Sequence, residues 1–114
     1  MQANNTQKWE QITNFVELNF DKKPDLNAIL FLIGIRELGE LPSTKFKKEE
    51  KVNLMHIAIC RLFSLSGYYE LEGKDKDGWP HWKLIKTLPN FSIFEQETFI
   101  RQHIIEYFEQ EEII

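Results

Sequence analysis

The segment from Tyr68 to Lys86, YYELEGKDKDGWPHWKLIK, constrains the fold more than any other part of this chain. Apolar and polar side chains alternate along both of its halves, which is the period of a half-buried β-strand. The pair Asp77-Gly78 lies between the two halves, and such a pair between alternating runs is the strongest short-range signal of a β-hairpin. We therefore predict one antiparallel hairpin over residues 68–86.

A two-residue loop at Asp77-Gly78 would give every residue of the first strand a fixed partner in the second. In that register Leu71 is opposite Leu84 and Gly73 is opposite Trp82. One face, which we expect to pack on helices, then carries Tyr69, Leu71, Trp82 and Leu84. The other face, which we expect to be solvated and which Trp79 shares, carries Glu70, Glu72, Lys74, His81, Lys83 and Ile85.

Four helices are predicted around the hairpin from apolar residues that recur every three or four positions. Their expected ranges are about Thr6 to Asn19, Pro24 or Asp25 to Gly39, about Lys47 to Gly67, and Ser92 to about Glu109. The second is so apolar that it is either central or part of a self-association surface. The sequence thus predicts a mainly helical α+β fold with the hairpin inserted before the C-terminal helix, in a single globular domain over residues 1–114.

Individual residues of the outer helices are also predicted to be buried. The apolar stripe of the first helix comprises Trp9, Ile12, Phe15, Val16 and Phe20. The stripe of the last comprises Phe94, Phe99 or Ile100, Ile104, Tyr107 and Phe108. Ser92 and Glu95 form an S-x-x-E capping box, which predicts the start of that last helix.

The number of cysteines and the length of the longest apolar run indicate the cellular compartment of the protein. Cys60 is the single cysteine, so an internal disulfide is excluded, and the first residues show no secretion signal. The longest apolar run, Ala28 to Ile35, is far shorter than the roughly 20 residues of a membrane-spanning helix. We expect a cytoplasmic protein without a membrane partner.

The charge pattern argues against nucleic acid as a partner. The net charge is −4, and residues 90–114 carry six Glu against one Arg. The order helix, helix, hairpin is also that of a winged-helix DNA reader, in which Lys74 and Lys76 could touch phosphate. However, the third helix offers mainly apolar side chains where a recognition helix needs polar ones.

His56 and Cys60 lie one helical turn apart, within a polar strip that also includes Glu49, Asn53 and Ser64. Imidazole and thiolate suit zinc, and a ligand or metal could occupy a pocket near this pair. The alternative is a hydrogen-bonded histidine beside a buried thiol, since no motif supplies further ligands. Asp75 to Gly78 resembles part of a calcium loop, but both ends lack a carboxylate. We predict no catalytic residue, bound metal or cofactor.

The remaining candidate is Trp79-Pro80-His81, a stiff aromatic corner where the hairpin returns. Tryptophan is enriched at interface hot spots, and proline blunts a strand edge. The best functional hypothesis is therefore a non-catalytic cytoplasmic protein–protein interaction module, with an unknown protein or a second copy of the chain as partner. The alternatives are Trp79 packed as a satellite of the core, and a ligand-binding protein or enzyme using a pocket between the hairpin and the strip of His56 and Cys60.

The segments LFLIGIRELG, GYYELEG and DGWPHW together resemble a family of small bacterial proteins of unknown function. The resemblance covers about residues 24–90. It implies a bacterial, stand-alone, cytoplasmic protein and transfers no site residue to this chain.

Overall fold

The computed structural model describes residues 5–20, 23–39 and 46–114. Within these ranges the chain forms α1 (Asn5–Phe20), α2 (Leu26–Leu38), α3 (Lys48–Ser64), β1 (Tyr69–Lys74), β2 (Pro80–Leu84) and α4 (Ile93–Gln110). The predicted α+β class, mainly α, is confirmed, as is the hairpin between α3 and α4. The chain divides into two compact units, residues 1–26 with 89–114 and residues 27–88. The single domain over 1–114 stays a prediction.

The first unit pairs α1 with α4, which come from opposite ends of the chain. Ile12 and Tyr107 are fully buried, and the rings of Phe15 and Phe108 meet edge to face at 6.4 Å. Lys8 Nζ lies 3.3 Å from the Glu109 carboxylate at the surface. Burial of one apolar stripe on each helix is the main stabilising contribution here.

The predicted helix boundaries and stripes hold with a few corrections. Ser92 Oγ accepts from Glu95 N at 3.2 Å, and the Glu95 carboxylate accepts in return from Ser92 N, so the capping box is confirmed. Phe94 was predicted to be buried but is 78% exposed, because it lies in the first turn of α4, before the buried stripe begins. The side chain of Phe20 lies outside the described residues.

The second unit contains α2, α3 and the hairpin. Ile29, Leu30 and Ile33 of α2 are buried, and none of the large apolar side chains of α2 is exposed. This burial favours the central interpretation of α2 over the self-association surface. Leu54, Ile57, Ala58, Cys60, Leu62 and Phe63 are the buried positions of α3.

The hairpin register differs from the predicted one. Leu71 pairs with Trp82 and Tyr69 with Leu84, and a β-bulge between Leu71 and Gly73 shifts the pairing nearer the loop. A two-residue type I′ loop would need positive φ at both Asp77 and Gly78, but only Gly78 has it, at 85°. The loop is therefore three residues long.

From Tyr69 to Leu71 the displacement is two residues, so these side chains keep their predicted faces. Beyond the bulge the displacement is one residue, so Gly73 pairs with His81, Lys74 pairs with Pro80, and both change face relative to the prediction. The face that was expected to be packed is only partly covered. Tyr69 and Trp82 are half-buried, whereas Leu71 is 48% and Leu84 49% exposed. On the opposite face Glu70, His81, Lys83 and Ile85 are exposed, as expected. Glu72, at the bulge, and Lys74 are exposed as well. Trp79 was predicted on the solvated side but is half-buried.

Candidate functional site

The polar strip of α3 changes from exposed to buried along the helix. Glu49, Asn53 and His56 are exposed, whereas Cys60 is completely buried. His56 Nε2 lies 3.5 Å from Cys60 Sγ, so the two side chains do meet across one helical turn. The strip therefore presents its imidazole to the surface and its thiol to the core.

Burial raises the pKa of the Cys60 thiol to about 11. The thiol is then protonated at neutral pH, whereas zinc binds the thiolate. Among the described residues no group of three His, Cys, Asp or Glu is arranged to hold a metal ion. These observations match the alternative of a histidine beside a buried thiol better than the zinc hypothesis.

Asp75 organises the hairpin loop. Its Oδ1 accepts from Asp77 N at 2.9 Å and from Trp79 N at 3.0 Å, and its Oδ2 lies 3.0 Å from His81 Nε2. The loop is closed by Asp75 N donating to Trp79 O at 3.0 Å and by Gly78 N donating to Asp75 O at 3.0 Å. One carboxylate thus fixes the main chain at Trp79 and the ring of His81.

These bonds favour the charged form of the Asp75 carboxyl. The hydrogen bond from His81, then those from Trp79 N and Asp77 N, lower its pKa below the usual range, although partial desolvation acts in the opposite direction. Because both carboxylate oxygens already form hydrogen bonds within the loop, the main role of Asp75 is to hold the loop in its conformation. This position confirms turn chemistry as the use of the Asp75 to Gly78 run.

A cavity of about 440 Å³ lies between α3 and the hairpin. From α3 it is lined by Glu50, Asn53, His56 and Ile57. From the hairpin it is lined by Asp75, Trp79, Pro80, His81 and Trp82. This volume is within the range of ligand sites, and it mixes apolar and aromatic surface with a few polar groups, as such sites do.

The structure therefore brings both predicted candidate sites to one place. The whole Trp79-Pro80-His81 corner lines the cavity, and His56 faces it from α3. Cys60 does not line it. A pocket between the hairpin and the His56-Cys60 strip was one of the predicted alternatives, and the packing of the hairpin on α3 adds the Trp79-Pro80-His81 corner to the lining of that pocket.

Two carboxylates of the cavity were missed as site residues. Glu50 neighbours the predicted polar strip, and its Oε1 accepts from Lys47 N at 2.9 Å, which stabilises the start of α3. Asp75 was recognised only as part of the turn. The signal for it was an aspartate two residues before Asp77 and six before His81, a spacing that lets one side chain bond both across a tight loop.

The indole of Trp82 has an unusual polar environment. Its Nε1 is buried and has no acceptor among the described residues. A buried donor without a partner costs about 1–3 kcal/mol. The hairpin therefore positions Trp82 beneath the cavity by packing of its ring rather than by a hydrogen bond.

Known proteins add no further constraint. No family model, no curated protein and no solved structure matches this chain. In the described parts of the chain, none of the helices is long and apolar enough to span a membrane.

Proposed function

We propose that this protein is a non-catalytic, cytoplasmic protein–protein interaction module and that the partner docks into the cavity between α3 and the hairpin. One observation carries the proposal: the Trp79-Pro80-His81 corner forms one wall of a cavity whose other wall includes Asn53 and His56 of the polar strip of α3. The aromatic corner and the polar groups that would orient a partner therefore face the same space.

The Trp79-Pro80-His81 corner is held in one conformation, which supports a binding role. Asp75 holds the main chain at Trp79 and the ring of His81, and proline fixes φ at position 80. A side chain that is ordered before binding loses less conformational entropy when the partner arrives. Trp79 is half-buried, so part of its indole is available while the rest rests on the protein.

The cytoplasmic part of the proposal rests on Cys60. It is the single cysteine in the sequence, and its side chain is buried as a free thiol. Small secreted domains commonly rely on disulfides for stability, and this chain has no pair of cysteines to form one.

The proposal is tested by capture of bound proteins from native cells, with quantitative mass spectrometry of wild type, Trp79→Ala and Trp9→Ala. Trp9 is the matched control because it is also half-buried but belongs to α1 and does not line the cavity. We expect Trp79→Ala to lose a partner that Trp9→Ala retains, with the melting temperature of Trp79→Ala nearly unchanged. Loss of the partner from both variants, or a large fall in the stability of Trp79→Ala, contradicts the docking role and favours Trp79 as a core satellite.

A small-molecule ligand is the second candidate. It is favoured by the convergence of Glu50, Asn53 and His56 on a cavity of ligand size. Native mass spectrometry of protein purified directly from cells would show such a ligand as an added mass that Asn53→Leu removes. A ligand found there, without a Trp79-dependent protein partner, replaces the interaction proposal.

Self-association is supported by a different surface. Leu71 and Leu84 are 48% and 49% exposed and lie on one face of the paired strands. Neighbouring exposed apolar side chains are typical of association surfaces. Sedimentation of wild type against Leu84→Lys separates a second copy of the chain from a different partner protein.

A further inference from the structure

We infer that the cavity between α3 and the hairpin receives a cationic side chain, arginine or lysine, from the partner protein. This inference rests on the proposed function and specifies the chemistry of the partner. It is argued from the charges, the aromatic surface and the main-chain order of the lining residues.

The charged groups that line the cavity favour a cation. Two carboxylates line it, Glu50 from α3 and Asp75 from the hairpin, and no Lys or Arg is among the lining residues. The Asp75 carboxyl is held in its charged form by the hydrogen bonds that it accepts. An arriving ammonium or guanidinium therefore meets carboxylates from two sides, Glu50 and the Asp75 that is also bonded to His81, and an anionic group would be repelled.

The aromatic surface favours the same class of group. Two indoles, Trp79 and Trp82, contribute to the lining together with Pro80. Tryptophan is the strongest aromatic partner for a cation, and the interaction strengthens where water is partly excluded. Arginine fits both features better than lysine, because its planar guanidinium stacks on aromatic rings and pairs with carboxylates through several donors.

A protein is favoured over a free amine by the neutral polar groups beside the charges. Asn53 and His56 are exposed on α3 and line the cavity. Their amide and imidazole can bond the main chain that carries the cationic side chain, whereas a small amine has no groups for them. The cavity volume of about 440 Å³ accommodates a long side chain with its flanking peptide units.

Glu50 offers a clean test because its charge can be removed without loss of its capping role. In Glu50→Gln the side-chain oxygen can still accept from Lys47 N, as glutamine does in capping boxes. Glu49→Gln is the matched control, since it removes the same charge from the same helical turn at an exposed residue that does not line the cavity. Both variants remove one negative charge from the first turn of α3, so they alter the interaction of that turn with the helix dipole alike.

The experiment is an NMR titration of the full-length protein with acetyl-Gly-Gly-Arg-Gly-Gly-amide, followed at the indole N–H signals of Trp79 and Trp82. A second peptide replaces arginine by citrulline, which keeps the shape and removes the charge. We expect the arginine peptide to bind about tenfold more tightly than the citrulline peptide, and Glu50→Gln to remove most of that difference. Glu49→Gln should change either affinity by less than about twofold.

Equal affinity for the two peptides, or an unchanged preference in Glu50→Gln, overturns the inference. Propylguanidine alone binding as tightly as the arginine peptide overturns the assignment to a protein and favours a free amine as ligand. If neither peptide shifts the Trp79 signal while Trp79-dependent capture of a protein persists, the cationic chemistry is wrong and the proposed function stands. If the capture also fails, the proposed function falls with it.

Discussion

Gly34 shows how a single residue sets the distance between two helices. An ideal Cβ at this position would overlap the main chain of Leu54, with only 2.7 Å to its carbonyl carbon. The obstacle is backbone on α3, which cannot rotate away as a side chain can. Glycine is therefore required here for close helix packing, and its entropic cost within a helix is offset by the contact it permits.

We expect Gly34→Ala to destabilise the protein. Overpacking of this kind costs about 1–3 kcal/mol, and the gain from replacing a helical glycine returns about 0.5–1 kcal/mol, so the net fall in unfolding free energy should be about 1–2 kcal/mol. Urea unfolding followed by circular dichroism measures it. Asn27→Ala, at an exposed position of the same helix, should change stability by less than about 0.5 kcal/mol. Equal effects of the two substitutions would mean that α2 and α3 do not approach closely at Gly34.

At the scale of elements, the hairpin depends on one carboxylate that accepts bonds from the loop main chain and from His81. The pKa of Asp75 is lowered in the folded protein. A group with a depressed pKa stabilises the fold above its unfolded value, near 3.9, and this contribution is lost as the pH falls through the folded value. The hairpin should therefore weaken in acid through Asp75.

We predict that Asp75→Asn lowers the urea midpoint at pH 5 and above, because the amide loses the charge and one acceptor oxygen. The difference between wild type and Asp75→Asn should shrink as the pH falls below about 4 and through the lowered pKa of the folded carboxyl, because the wild-type carboxyl then becomes protonated. Asp77→Asn removes a charge from the same loop without altering the bonds that the Asp75 carboxylate accepts. A pH-independent difference for Asp75→Asn, or an identical profile for Asp77→Asn, would contradict the proposed role of the Asp75 charge.

The hairpin also shows how much of an element can be predicted from sequence. The alternation of side chains identified both strands and assigned the residues from Tyr69 to Leu71 and their partners to the correct faces, because the shift there is two residues. It assigned Gly73 and Lys74 to the wrong faces, because the bulge makes their shift one residue. The exact partners were wrong, since they depended on whether Asp77 adopts positive φ. That choice is decided by the Asp75 carboxylate, which bonds Asp77 N and Trp79 N and stabilises the three-residue loop.

The candidate site, like the hairpin, could be predicted only in part. Trp79, Pro80, His81 and His56 could be singled out from local sequence, because aromatic, proline and histidine residues stand out against their neighbours. A pocket between the hairpin and the His56-Cys60 strip was among the alternatives, but the residues that line it could not be predicted, because they depend on how the hairpin packs on α3. Cys60 was predicted beside His56 and does lie there, but its burial excludes it from the cavity lining.

At the scale of the whole molecule, two compact units are built from different parts of the chain. The unit of α1 and α4 joins the two ends, with a side-chain contact between Lys8 and Glu109, whereas the other unit is continuous from residue 27 to residue 88. Apolar periodicity detected the helices of both units equally well. It carries no information on which helices pair, so the division between units had no sequence signal.

The net charge of the whole chain predicts how the protein interacts with duplex DNA. With a net charge of −4, the chain lacks the clustered positive charge that supplies most non-specific binding to nucleic acid. We expect fluorescence anisotropy to show no binding of a labelled duplex DNA by about 100 µM protein at low salt, where electrostatic binding is strongest.

The decisive comparison is with Lys74→Gln/Lys76→Gln. Both lysines are exposed at the hairpin tip, where a winged-helix protein would contact phosphate. If the wild type binds duplex DNA, weakens steeply with added salt, and loses that binding in the double variant, the hairpin acts as a wing. In that case the net charge is a poor guide to function, because two local charges outweigh it. Identical anisotropy curves without binding contradict a wing role for the hairpin.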